Sequence, residues 1–143
     1  MTDPDPLIYL TAGEVIAFHA VIMQQAGQLP AALRDRGLLE SAVQRPQNAA
    51  YSEDADILTQ AALSMVGIAL NHPFVDGNKR TGYVGGMTFL HLNGHIDINT
   101  SLNDPQLGIW LEQVINGEST FAQFVQQLQG TPAEVTPPCC STG

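Results

Sequence analysis

Within nine residues this chain places His72, Asp76, Lys79 and Arg80, in the stretch NHPFVDGNKRTG from Asn71 to Gly82. An imidazole, a carboxylate and two cations so close together are the parts of a phosphoryl-transfer site. His72 can act as a general base, Asp76 can hold a magnesium ion, and Lys79 and Arg80 can neutralise phosphate charge. Gly77, Asn78 and Lys79 form a possible phosphate cradle, because a glycine ahead of a helix lets the backbone approach a ligand and the first helical turn offers unpaired N–H groups. The same residues also suit a plainer role. His-Pro can end a helix, Asp-Gly-Asn can turn the chain, and Lys-Arg can be a solvated pair. Two features favour chemistry: the loop joins the two most apolar helical stretches, and a cationic first turn opposes the helix dipole at a local cost.

The elements around this loop are helical. Thr11 and Glu14 make a capping-box pattern, which predicts a first helix to about Ala26, stopped by Gly27. Asp35 caps a second, short helix that Arg45-Pro46 should end. Glu53 to Asn71 is apolar around most of its circumference and predicts a buried central helix. A fourth runs from about Asn78 to Leu92 and closes at Gly94, with Gly82, Gly85 and Gly86 allowing close approach of a neighbour. Ile96 to Asn99 alternates and reads as extended. Asn103 or Asp104 with Pro105 starts a fifth helix through about Ile115, and Ser119 caps a sixth through Leu128. The expected fold is all-α, a compact bundle of about six helices with a short extended flap. One domain spans 8–130, between disordered ends at 1–7 and 131–143.

Fourteen acidic residues against five basic ones leave a net charge of -9 over 143 residues. That balance repels a nucleic-acid backbone and an anionic membrane, so neither is an expected partner. The N-terminus carries no signal-peptide pattern, and the expected location is cytoplasmic. Cys139 and Cys140 are adjacent in the tail and have no spacing for a disulfide framework or a zinc site. GNKRTG is not a P-loop, since Tyr83 and Val84 stand where lysine and Ser/Thr belong and no strand precedes it. His19, His91 and His95 lack metal-ligand spacing or a paired carboxylate and read as ordinary helical or loop histidines.

HPFVDGNKR, His72 to Arg80, resembles the signature of the Fic/Doc family, His-x-Phe-x-Asp/Glu-Gly-Asn-Gly-Arg followed by a second arginine. Lys79 in place of the last glycine and Tyr83 in place of the second arginine are closer to the death-on-curing (Doc) branch. YLTAGEVIAFH, LRDRGLLESAVQRP and FLHLNG are similar to that branch too, so the resemblance covers about residues 8 to 130. It implies ATP and Mg²⁺ as cofactors. Doc-type members move the terminal phosphate of ATP onto a threonine of elongation factor Tu, stopping translation, and a Phd-type antitoxin inhibits them. Most other Fic proteins transfer AMP to a protein hydroxyl, which is the alternative activity, and a catalytically silent binding module is the alternative of a different class. By matching positions, His72 is the implied base, Phe74 anchors the loop, Asp76 holds Mg²⁺, and Gly77 and Asn78 bind phosphate. Lys79 and Arg80 bind and stabilise the transferring group. The inhibitory Ser/Thr-x-x-x-Glu-Gly/Asn helix of many Fic proteins does not occur in this sequence, so inhibition is expected from a separate chain, with the cations between Arg34 and Arg45 meeting its acidic residues.

Overall fold

The computed structural model describes residues 7–29, 33–94 and 105–130. It is all-α. Among the described residues six helices follow in order: α1 (Ala12–Gln25), α2 (Arg36–Glu53), α3 (Ile57–Asn71), α4 (Asn78–Leu92), α5 (Pro105–Ile115) and α6 (Phe121–Gly130). The expected extended segment at 96–99 and the expected disordered ends lie outside the described residues, save Leu7. None of the described helices is long and apolar enough to cross a membrane.

Local signals set most boundaries. The Thr11 hydroxyl accepts from the Glu14 N–H at 3.1 Å while the Glu14 carboxylate accepts from the Thr11 N–H at 2.9 Å, the reciprocal cap expected at the start of α1. Asp35 caps α2 and Asp56 caps α3 through side-chain bonds of 3.1 and 2.8 Å. Thr120, one residue after the expected Ser119, accepts from the Gln123 N–H at 3.1 Å and caps α6.

The second helix departs from expectation. It passes through Pro46 and continues to Glu53 rather than ending at Arg45-Pro46, and α3 starts at Ile57 rather than Glu53. Pro46 gives up one hydrogen bond, but Leu39, Ala42, Pro46 and Ala49 lie on one buried stripe, and a further turn buries Ala49 completely. Packing outweighs the local break. The helix stops at Asp54, whose backbone is left-handed at φ 55°, and Ala55-Asp56 then resets the chain for α3.

The α3–α4 hairpin is the centre of the molecule, and the small residues of α4 decide how tightly it closes. A Cβ on Gly82 would stand 2.5 Å from the Met65 carbonyl oxygen, and one on Gly86 would overlap the Met65 side chain and come within 3.1 Å of the Ala61 carbonyl oxygen. The two backbones therefore meet where only glycine fits. Val15, Leu39, Met65, Ile68, Phe74, Leu90, Leu111 and Phe124 join all six helices and the connecting loop into one core. The loop from His72 to Gly77 is held at the mouth of that hairpin.

Candidate functional site

The chain leaves α3 in an unusual backbone state. His72 caps the helix with φ 51° and ψ 54°, left-handed for a residue with a side chain, immediately ahead of Pro73. Such a conformation costs about 1–2 kcal/mol and persists where its surroundings fix it. Arg34 does so. Its guanidinium donates to the carbonyl oxygens of His72 at 2.7 Å and Asn71 at 3.2 Å, satisfying the end of α3. The backbone N–H groups of Arg34 and Asp35 both donate to the Pro73 carbonyl, at 2.6 and 3.1 Å, and Leu33 pairs with Phe74 in an isolated antiparallel bridge. Arg34 is thus a structural clamp, and Arg36 and Arg45 pair with Glu40 and Glu53 on α2. The sequence held no local sign of the clamp, since its two halves lie 37 and 38 residues apart.

From Phe74 the loop is pinned inward. Phe74 is 2% exposed, and its ring stacks on that of His19 with centroids 3.8 Å apart and planes 4° apart. Asn78 closes the turn: its side-chain oxygen accepts from the Phe74 N–H at 2.9 Å and its amide donates to the Phe74 carbonyl at 2.8 Å. The side chain expected to bind phosphate is therefore engaged within the loop, which leaves the unpaired N–H groups of the first turn of α4 as donors toward an anion. Gly77 adopts φ 79°, and a Cβ there would lie 2.9 Å from the Met23 sulfur and 3.4 Å from His19 Cδ2. Both the backbone and the space require glycine.

His72, Asp76, Gly77, Asn78, Lys79 and Arg80 are all brought to one cavity of about 580 Å³. Its remaining walls include Met23 of α1, Ala26 at the C-cap of that helix and Ile115 of α5. His72, Asp76, Lys79 and Arg80 are exposed along it. Lys79 forms an ion pair with Glu112 of α5 at 3.3 Å, a partner the sequence reading missed because it comes from another helix 33 residues on. With both side chains about half exposed (49% and 54%), this pair contributes little to stability and leaves the ammonium free to exchange partners.

A single carboxylate beside a backbone cradle suits one class of cation. Among the described residues no three His, Cys, Asp or Glu side chains converge as a metal cage. Magnesium is commonly held by one or two carboxylates together with substrate phosphates and water, and Asp76 offers that donor at the cavity rim. The donor set fits Mg²⁺ delivered with a nucleotide phosphate.

The model of the Fic/DOC family matches residues 9–90, more than half of the chain and the whole His72 to Arg80 motif. The chain belongs to the Fic/Doc family. Within the Fic/Doc family the match is to the Doc branch: Toxin Doc of Mycolicibacterium smegmatis (strain ATCC 700084 / mc(2)155) is 46% identical over 87 residues. The aligned part is 59% of this chain and 59% of that protein, so the chain spans under two-thirds of that relative's length. The all-α architecture is that of the Fic/Doc fold, and family members are typically transferases.

Proposed function

We propose that this chain is the toxin of a toxin–antitoxin pair and that it transfers the terminal phosphate of ATP to a hydroxyl of a translation factor, with elongation factor Tu as the first candidate. Support for the toxin role comes from the likeness to Toxin Doc. The observation that carries the chemistry is Lys79. It stands in the first turn of α4, on the cavity and beside Gly77, where AMP-transferring members have a glycine. A lysine there fills space that a phosphate would otherwise use and adds a positive charge, so the nucleotide is turned and a different phosphorus faces the acceptor. Tyr83 removes the second arginine that AMP transfer uses.

ATP with Mg²⁺ supplies the phosphoryl group and the divalent charge that neutralises its oxygens. The protein does the rest. His72, held in place by Arg34 through its backbone, accepts the proton of the target hydroxyl as the new O–P bond forms and the bond to ADP breaks. Asp76 would hold the metal at the cavity rim. Gly77 and the first-turn N–H groups of α4 bind phosphate oxygens, and Lys79 and Arg80 stabilise the charge that moves to the leaving ADP. Inhibition belongs to a separate, Phd-type antitoxin.

Expression in bacterial cells without an antitoxin separates this account from a catalytically silent binding module. Wild-type protein is expected to stop growth and His72→Ala to lose that effect. Growth arrest by His72→Ala equal to that of the wild type would show that toxicity comes from binding alone.

A further inference from the structure

We infer that His19, on α1, is a positioning residue for the anion cradle. This rests on the proposed ATP site but concerns a residue outside its motif. His19 is 2% exposed, a buried polar ring on a helix whose other buried residues are Ala12, Val15, Ile22 and Met23. Two contacts account for it. The ring stacks on Phe74, and Nε2 lies 2.8 Å from the Asp76 carbonyl oxygen. Because a carbonyl only accepts, Nε2 carries the proton and donates.

That bond fixes the direction of a peptide. In a trans peptide the C=O and the following N–H point in opposite directions. With the Asp76 carbonyl drawn inward to His19, the Gly77 N–H must face the other way, to the side on which it now donates to the Asp76 carboxylate at 2.8 Å. His19 therefore sets the orientation of a cradle donor and, through the same peptide, the place of the Asp76 side chain. The left-handed backbone of Gly77 has two peptide orientations open to it, and the space beside it is closed by Met23 and His19. A histidine at this point supplies what a buried aliphatic residue cannot: a donor that selects one of the two orientations.

Two substitutions divide the contributions of the ring. His19→Phe keeps a flat ring against Phe74 and removes the donor; His19→Gln places an amide N–H near the former Nε2 and removes the stack. The readouts are the Gly77 amide resonance in a ¹⁵N-correlated spectrum, calorimetric binding of ATP with Mg²⁺, and the melting temperature. For His19→Phe we expect a folded protein in which the Gly77 resonance is broadened or displaced and ATP·Mg²⁺ affinity falls about tenfold, the loss of one hydrogen bond. His19→Gln is expected to restore affinity despite a lower melting temperature. A Gly77 resonance and affinity unchanged in His19→Phe, or losses that follow melting temperature in both variants, would overturn the assignment. Absence of ATP binding by wild-type protein would instead count against the proposed function, and the Gly77 resonance would still decide the role of His19.

Discussion

Lys79 is the only lysine in the chain and the residue on which the proposed chemistry turns. Its ion pair with Glu112 is half exposed, so Glu112→Gln is expected to leave the melting temperature nearly unchanged. Lys79→Ala should likewise remain folded while phosphate transfer falls about 10²–10³-fold, the usual loss when one donor to a developing charge is removed, measured by initial rates with a purified target. Gly77 is expected to behave differently. Gly77→Ala must place a side chain at φ 79° and 2.9 Å from the Met23 sulfur, so it should lower stability by about 1–3 kcal/mol in chemical denaturation as well as impair activity. His72, Asp76, Lys79 and Arg80 were legible as one group because they are close in sequence. His19 was not, because its partners are a ring and a carbonyl more than fifty residues away, and nothing in the spacing of α1 marks one buried position as polar by need.

At the scale of elements, the caps of α1 (Thr11 with Glu14) and α2 (Asp35 with Leu38) were legible from residues within one turn, whereas that of α6 falls on Thr120 rather than Ser119 and that of α3 on Asp56. Pro46 was misread because a proline's local cost is visible in sequence while the compensating burial of Ala49 appears only once α2 has packed. The glycines of α4 signalled a close approach, and the structure supplies the partner. Gly82→Ala is expected to be the more damaging of two substitutions, since its Cβ meets the Met65 carbonyl, which cannot move without moving α3. Gly86→Ala meets chiefly the Met65 side chain, so adding Met65→Ala should relieve much of its cost and little of that of Gly82→Ala, a comparison that denaturant melts of the single and double variants can make. The Arg34 clamp makes a third case. Arg34→Lys keeps the charge but loses the two-pronged reach to Asn71 and His72, and should destabilise by about 1 kcal/mol with a larger proportional loss of activity than of stability.

For the whole molecule, the all-α bundle was legible because each helix announces itself locally, whereas the way α1, α5 and the 33–35 segment converge on one loop depends on tertiary packing. The N-terminal segment is tied across the bundle: Tyr9 stacks on Phe89 at 5.5 Å and donates its hydroxyl to Gln60 at 2.6 Å, and Asn93 bonds both backbone groups of Ile8. Burial first, and then Tyr51, raise the Tyr9 phenol above its ordinary value. The folded state therefore holds this proton where the unfolded chain releases it. Its contribution is full below about pH 10 and is lost as pH rises through the higher folded value, so alkaline melts should show a decline that Tyr9→Phe lessens. The central claim is the identity of the group transferred. Purified protein incubated with ATP, Mg²⁺ and elongation factor Tu, followed by the intact mass of the target, tests it most directly. The account predicts the added mass of one phosphate, dependent on His72 and Lys79; the added mass of AMP would contradict it.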